Sequence, residues 1–371
     1  MSDLDLKAGE WVEVRPKEEI LATLDSNGRL QELPFMPQMF QYCGKRFRVY
    51  KRAHKTCDTV NRPAGRTMPN AVHLEGMRCD GQAYGGCQAL CLIFWKETWL
   101  KRVQAPYAQP APASGPQPAT CTEQQVLNGT VASGFKPGDP DPTYVCQATH
   151  LPAATAPLSP WNIRQYIEDY TSGNVGFWEI VRGFVYATYN NTINLGIGVG
   201  PILRWLYDLF QAGIGGIRYP RRYGTIPTGA KTPNATLNLQ PGELVRIKRY
   251  AEILKTVDVG NRNRGLLFDA EMVPFCGSTY RVLKRVSRII NEKTGKMMAF
   301  KNDCIILDNV FCQSRYSEER HFCPRAIYSF WREVWLERVP VSEQEQAQAA
   351  TGVPCGATGG LQGCSTGKVR A

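Results

Sequence analysis

Cysteine is the residue type in this sequence that offers the most chemistry. The 371-residue chain holds 13 cysteines and four histidines. Its opening residues lack the charged and apolar regions of a secretory signal, so we expect reduced thiols in the cytoplasm of a bacterium. Reduced cysteines in such number, and in an odd count, more often bind metal than form a disulfide framework. The composition therefore predicts a metal-binding protein.

An internal duplication divides these cysteines into those that occur in both copies and those that occur once. Two segments, about 9–103 and 242–339, align at a constant spacing apart from one short insertion in the second copy. Matching stretches are Gly9-Glu10-Trp11-Val12 with Gly242-Glu243-Leu244-Val245, and Phe94-Trp95-x-x-x-Trp99 with Phe330-Trp331-x-x-x-Trp335. The chain thus contains two modules of one fold.

Three cysteines occupy equivalent positions in the two modules and should belong to the shared fold. They are Cys43, Cys79 and Cys87 in the first module, and Cys276, Cys312 and Cys323 in the second. A tetrahedral zinc site needs a fourth ligand. The candidates are His321 or Cys304 in the second module, and His54 or Cys57 in the first. The alternatives to structural zinc are inert buried thiols and another metal.

Other cysteines have no counterpart in the second module. Cys57 aligns with Ile290 and Cys91 with Ile327, while Cys121 and Cys146 lie outside the repeat. A four-thiolate set has the stoichiometry of a second zinc site or an iron–sulfur cluster. The alternatives are that these cysteines complete the shared zinc site or bind no metal.

Short strands and turns must position these residues. Trp11–Val14 and Phe47–Tyr50 have one apolar face each, and residues 17–24 are typical of a helical turn or two. The Gly-Glu-x-Val opening and the Gly-x-x-(Phe/Tyr)-Arg-Val strand resemble SH3-like barrels, including KOW modules, over the first half of each copy. The resemblance implies two small barrels. The cysteine-rich second half of each module is expected to wrap its barrel as a metal-stapled loop.

The predicted fold class is mainly β with a helical insert. The SH3-like modules span 9–103 and 242–339. Between them we expect a proline-rich linker with a cysteine-containing loop at 104–160 and a helical insert at 161–217, and a disordered tail follows at 340–371. In the insert, Phe177–Tyr189 and Ile202–Phe210 are predicted helices, and an uncharged run separates Arg182 from Arg204. This run is compatible with a buried hairpin or connector, a membrane-surface or partner-docking element, or a membrane span; its asparagines and glycines argue against the span.

The chain carries a formal net charge of +11, which favours a polyanionic partner, either nucleic acid or anionic lipid. Strand alternation would place Arg46, Arg48, Tyr50 and Arg52 on one outer face, a pattern suited to phosphate and base contacts. The alternative is an ordinary solvated strand face.

These features predict a metal-binding tandem-barrel scaffold or binding protein of the bacterial cytoplasm, with a protein partner and without a transmembrane span. One alternative is a metalloenzyme or redox accessory protein whose zinc or iron–sulfur site uses the cysteines without counterparts. The other is a nucleic-acid-binding protein that uses the basic strand. The sequence lacks a P-loop, GxGxxG, GxSxG or HExxH motif, so whether it is an enzyme is left open.

Overall fold

Apolar and polar residues alternate in the first strand, where Val12 and Val14 are fully buried. The computed structural model describes residues 4–61, 65–103, 120–196, 198–317 and 320–340. Its strands are β1 Trp11–Val14, β2 Arg29–Leu30, β3 Leu33–Pro34, β4 Arg46–Arg52, β5 Lys55–Cys57, β6 Gly65–Thr67, β7 Ala71–Leu74, β8 Trp95–Lys96, β9 Leu100–Val103, β10 Ala156–Leu158, β11 Leu244–Ile247, β12 Arg262–Asn263, β13 Leu266–Leu267, β14 Thr279–Ile290, β15 Met297–Phe311, β16 Tyr328–Trp331 and β17 Leu336–Arg338.

The helices are concentrated between the two modules. They are α1 Lys17–Leu21, α2 Glu123–Asn128, α3 Leu151–Ala154, α4 Arg164–Thr171, α5 Phe177–Ile193, α6 Gly200–Gly213 and α7 Tyr250–Leu254. Four short 3-10 helices lie at Pro37–Tyr42, Glu97–Trp99, Ala270–Phe275 and Glu333–Trp335. The predicted helical turn near residue 17 and the two predicted helices of the insert are confirmed.

The two repeated segments form five-stranded antiparallel sheets with the same strand order. The first sheet is β8-β7-β4-β1-β9 and the second is β16-β15-β14-β11-β17. In both, the outer strands flank a short 3-10 helix and do not pair with each other, so the predicted barrels are not closed. The fold is a mixture of several antiparallel sheets and a few helices.

The segment after residue 120 packs against the first module. Thr122 caps α2 by accepting a hydrogen bond from the Gln125 backbone N–H. Gly28 has a φ of 73°, and a Cβ there would lie 2.9 Å from the Cα of Val126, so only glycine lets α2 approach this turn. Strand β10 pairs with β6. The first part of the predicted linker, 104–119, and the predicted tail, 341–371, lie outside the described residues.

The helical insert has only a small core of its own. Tyr186, Ile193 and Tyr219 form its buried cluster, and the Tyr219 hydroxyl donates a hydrogen bond of 2.7 Å to Asn190 Oδ1. At Gly183 a Cβ would lie 2.5 Å from the ring of Phe322, so the absent side chain lets α5 pack against the second module. The insert is therefore anchored to the sheet modules at its inner side.

Candidate functional site

The predicted metal ligands are dispersed in the structure. Among the residues that the structure describes, no group of three or more His, Cys, Asp or Glu side chains could hold a metal ion. Cys79, Cys87 and Cys146 pack against the first core with Cys43, whereas Cys276 packs against the second. The expectation of metal-stapled loops has no support in this geometry, and zinc and an iron–sulfur cluster stay predictions.

The four cysteines without counterparts are not brought together. Cys121 is buried in the first core, beside the turn that holds Gly28. Cys146 packs on another part of the same core with Tyr144, and Cys91 lies within electrostatic range of Cys146. Cys57 instead ends β5 and contacts Cys323 of the second module. These positions give no support to a four-thiolate site.

The two modules meet through a pair of equivalent contacts. The backbone N–H of Cys57 donates a hydrogen bond of 3.1 Å to Cys323 Sγ. The backbone N–H of Ile290 donates one of 3.4 Å to Cys87 Sγ. Cys57 aligns with Ile290 and Cys87 aligns with Cys323, so each contact is the counterpart of the other, as at a self-complementary dimer interface. The shared cysteines at these two positions therefore link the modules to each other.

A buried ion pair lies beside the Cys57–Cys323 contact. Arg325 is 3% exposed, and its Nη2 donates a hydrogen bond of 2.8 Å to Glu292 Oε1. Its Nη1 lies 3.4 Å from the carbonyl oxygen of Cys57. Thr59 donates its hydroxyl proton to the same Glu292 carboxylate. Arg325 is thus held in place by both modules.

The two thiols of the pair are electrostatically unequal. Contact with the Cys323 side chain, with Arg325 and Arg320 nearby, lowers the pKa of Cys57 although burial opposes the change. The same contact, together with burial, raises the pKa of Cys323. Ionisation of the pair is therefore favoured at Cys57 over Cys323.

His54, a predicted zinc ligand, belongs instead to a buried polar network. Its Nε2 lies 3.2 Å from Asp169 Oδ1 and 3.2 Å from the carbonyl oxygen of Gln165. Lys55 Nζ donates a hydrogen bond of 2.6 Å to Asp169 Oδ2, and burial lowers the pKa of Lys55. Because Asp169 lies on α4, this network fastens the helical insert to β5.

The remaining predicted ligands have local surroundings of their own. Cys312 Sγ lies 3.5 Å from Ser314 Oγ, and burial raises the pKa of this cysteine to about 12. Burial raises the pKa of Cys43 to about 11. The imidazole of His321 lies 6.0 Å from the ring of Phe322. Each of these thiols is therefore neutral at ordinary pH.

The predicted basic strand face is largely occupied by ion pairs within the protein. Arg46 Nε lies 2.9 Å from Glu13 Oε2. Arg52 was expected to point outward, but it is 8% exposed and binds Glu97 and Glu168, each at 2.8 Å. That expectation is wrong because a register shift between Val49 and Lys51 breaks the alternation of the strand.

Arg48 and Tyr50 are the other members of the predicted face. The Arg48 side chain is half exposed, and its Nε donates a hydrogen bond of 3.1 Å to the carbonyl oxygen of Gly9. Tyr50 is partly buried, and burial raises its pKa. The four residues therefore do not form one continuous cationic surface.

The helical insert carries the largest group of exposed apolar side chains in the described part of the chain. On α6, an apolar stripe at helical spacing points to solvent; it consists of Ile202, Trp205, Leu206, Leu209 and Phe210. Apolar residues at this spacing ordinarily face a core. Only Gly200 is buried in this helix.

A second exposed apolar stripe precedes α6. Ile163, Ile167 and Tyr170 line the outer side of α4. The ring of Tyr170 lies 6.4 Å from that of Phe177, which in turn lies 5.3 Å from that of Trp178. The exposed surface therefore continues from α4 into the first turn of α5.

Charge on the insert is unequally balanced. Its acidic residues all lie near a basic partner; the pairs are Glu168–Arg52, Asp169–Lys55, Glu179–Arg315 and Asp208–Arg222. Arg164, Arg182 and Arg218 are exposed and form no ion pair with any residue in the described ranges. The exposed surface of the insert is therefore both apolar and positively charged.

Two features of this region were not predicted from the sequence. The Arg325–Glu292 pair joins residues of the second module around a cysteine of the first, and no local motif indicates that contact. The outward stripe of α6 has a helical period that the sequence does show, but periodicity alone does not reveal which side faces solvent.

No protein-family model matches the sequence, and no curated protein shows significant similarity to it. Of the helices in the described residues, none combines the length and apolar character needed to cross a membrane.

Proposed function

We propose that this protein is a binding scaffold that attaches to an anionic membrane surface through the helical insert formed by α4, α5 and α6. The observation that carries the proposal is the outward apolar stripe of α6, centred on Trp205 and Leu206. A helix with this pattern lowers its free energy by placing the stripe at the boundary between lipid headgroups and acyl chains. The two sheet modules would then be held beside the bilayer.

Charge favours a membrane over a second copy of the chain as the occupant of this surface. Arg164, Arg182 and Arg218 would attract anionic headgroups, each contributing about 1 kcal/mol near the surface. In a symmetric dimer through the same surface, like charges would be brought together. Tryptophan is also enriched at membrane interfaces, and Trp161, Trp178 and Trp205 are all more than half exposed.

Vesicle sedimentation tests the proposal with the full chain. We expect the protein to pellet with phosphatidylcholine vesicles that contain phosphatidylglycerol, and much less with phosphatidylcholine alone. Replacing Trp205→Ser and Leu209→Ser together should lower the affinity by tenfold or more, because each inserted side chain contributes roughly 1.5–3 kcal/mol. The matched control is Val259→Ser with Leu283→Ser, since both side chains are exposed outside the insert.

Further outcomes distinguish the alternatives. Arg164→Gln with Arg182→Gln should weaken binding to the anionic vesicles and make it less sensitive to salt. Failure of the wild-type protein to bind either vesicle would refute the proposal. A concentration-dependent dimer that the Trp205→Ser and Leu209→Ser variant no longer forms would assign the surface to a second copy.

A further inference from the structure

Cys57 and Cys323 meet at the boundary between the two modules, far apart in sequence. We propose that they form a redox-active dithiol, which a low-molecular-weight disulfide oxidises to a disulfide bond between the modules. The proposed modification site is independent of the membrane surface described above. Three features support the proposal: the contact itself, its counterpart in the other half of the molecule, and the basic residues around it.

The contact is direct and well anchored. The backbone N–H of Cys57 donates a hydrogen bond of 3.1 Å to Cys323 Sγ, which brings the two cysteines into contact. Cys57 is fixed by its place in β5, which pairs with β6. Cys323 and Arg325 lie in one loop. In that loop Phe322 has a φ of 63° and Ala326 has a φ of 43°. Such left-handed conformations are costly for residues with a Cβ and indicate that the surrounding structure fixes the loop.

The equivalent contact in the other half of the molecule shows that the fold does not depend on a thiol here. There, Ile290 takes the place of Cys57, and its backbone N–H donates to Cys87 Sγ at 3.4 Å. The cysteine that accepts the hydrogen bond is thus shared, whereas the cysteine that donates it is present only once. The backbone contact forms with either residue at this position, so the interface does not require the sulfur of Cys57.

The surroundings favour a reactive thiolate. The buried guanidinium of Arg325 lies 3.4 Å from the carbonyl oxygen of Cys57, and with Arg320 it favours the ionised form of that thiol. Lys51 and Lys55 lie within electrostatic range of Cys323, and Glu292 is the nearby acidic group, already paired with Arg325. Reactive cysteines are found in electropositive settings of this kind, whereas structural cysteines are inert in apolar ones.

The reaction is a balanced thiol–disulfide exchange. The Cys57 thiolate attacks one sulfur of the external disulfide, a mixed disulfide forms, and one thiolate leaves. Cys323 then loses its proton to that leaving group or to water and attacks Cys57 Sγ, which releases the second external thiol. Two cysteine thiols are oxidised and one external disulfide is reduced to two thiols. Because the cysteines are 8% and 6% exposed, we expect oxidation to be slower than at a surface thiol.

The test uses the full chain in glutathione redox buffers with a chelator present. After alkylation of free thiols, proteolysis under non-reducing conditions should yield a peptide joining Cys57 to Cys323, more abundant by about tenfold than any other linked pair. Cys323→Ala should accumulate a glutathione mixed disulfide on Cys57, because the contacting thiol is gone and Cys312, the neighbouring one, is kept protonated by a pKa that burial raises to about 12. Cys57→Ala should leave Cys323 reduced, and the control Cys276→Ala should retain the linked peptide.

The wild-type peptide map decides the proposal even if a variant fails to fold. A map in which other cysteines become linked while Cys57 and Cys323 stay reduced would overturn it. So would equal accumulation of mixed disulfide in Cys57→Ala and Cys323→Ala, because the two thiols would then have no distinct roles.

Discussion

The two sheet modules have equivalent internal hydrogen bonds and ring contacts, and they differ at the surfaces through which they contact each other. In the first, Trp99 Nε1 donates a hydrogen bond of 3.1 Å to Thr23 Oγ1, and in the second Trp335 Nε1 donates one of 2.9 Å to Thr256 Oγ1. Edge-to-face contacts also correspond: Phe35 lies 5.1 Å from Trp99, and the equivalent ring pair of the second module is 5.4 Å apart.

A buried glutamate makes a second set of equivalent contacts in each module. Glu97 accepts hydrogen bonds from the backbone N–H groups of Asp5 and Leu6 and pairs with Arg52. Glu333 accepts from Leu237 and Leu239 and pairs with Arg285; Glu333, Leu239 and Arg285 are the equivalents of Glu97, Leu6 and Arg52. Each glutamate therefore fastens the segment that precedes the first strand of its module.

The modules differ in the hairpin that leaves the sheet. In the second module β14 and β15 are 12 and 15 residues long, whereas β4 and β7 have 7 and 4 residues. The long hairpin extends to the first module, where Ile290 joins the first core. The two modules therefore have equivalent contacts inside each copy. They differ at the surfaces where one copy packs against the other.

The largest expected effect comes from the shared tryptophans. Trp99→Ala and Trp335→Ala should each lower the free energy of unfolding by about 3–5 kcal/mol, because each removes a fully buried ring and its hydrogen bond to threonine. Chemical denaturation measures both. If one variant were as stable as the wild type while the other unfolded, the two modules would not be equivalent in structure.

Next in size is the contrast between Ile290 and Cys57, which occupy equivalent positions. Ile290→Ala should cost about 2–5 kcal/mol because it leaves a cavity in the first core. Cys57→Ala removes one sulfur atom and should cost about 1 kcal/mol, the central value for a point substitution. Thermal or chemical unfolding of the two variants gives the ratio of their losses in stability. A larger loss of stability in Cys57→Ala than in Ile290→Ala would show that the thiol is structural.

A smaller effect is expected at His73, which aligns with the fully buried Ile306. Burial lowers the pKa of His73 to about 3, and its Nδ1 lies 2.8 Å from the carbonyl oxygen of Ile93. A lowered pKa means that stability is complete above the ordinary value near 6.5 and is lost as pH falls toward 3. The loss is at most about 1.4 kcal/mol per pH unit.

Unfolding measured against pH checks this prediction. Between pH 6 and 4, His73→Ile should reduce the fall of unfolding free energy by at most about 1.4 kcal/mol per pH unit. The control is Lys51→Met, at a neighbouring strand position. An unchanged acid slope in His73→Ile would show that other groups cause the loss of stability.

The sequence predicted much of the secondary structure and little of the site. Trp11–Val14 is a strand with the predicted bounds, and α5 and α6 contain the predicted helices, because local periodicity and capping residues determine such elements. The open sheets could not be foreseen, since closure depends on how distant strands pair. Likewise, the sequence predicts Cys323 as a zinc ligand of the second module, and Cys57 as a ligand of the first module or of the four-thiolate set with Cys91, Cys121 and Cys146. The contact between Cys57 and Cys323 depends on the packing of the two modules, which no single module encodes.

The role of the helical insert as the membrane-binding surface is tested most directly by hydrogen–deuterium exchange on the full chain, with and without phosphatidylglycerol-containing vesicles. We predict that added vesicles slow exchange in α4, in the first turns of α5 and in α6, while β1, β4, β11 and β14 exchange as in free protein. Slowed exchange in the sheet modules with no change in α6 would contradict the account.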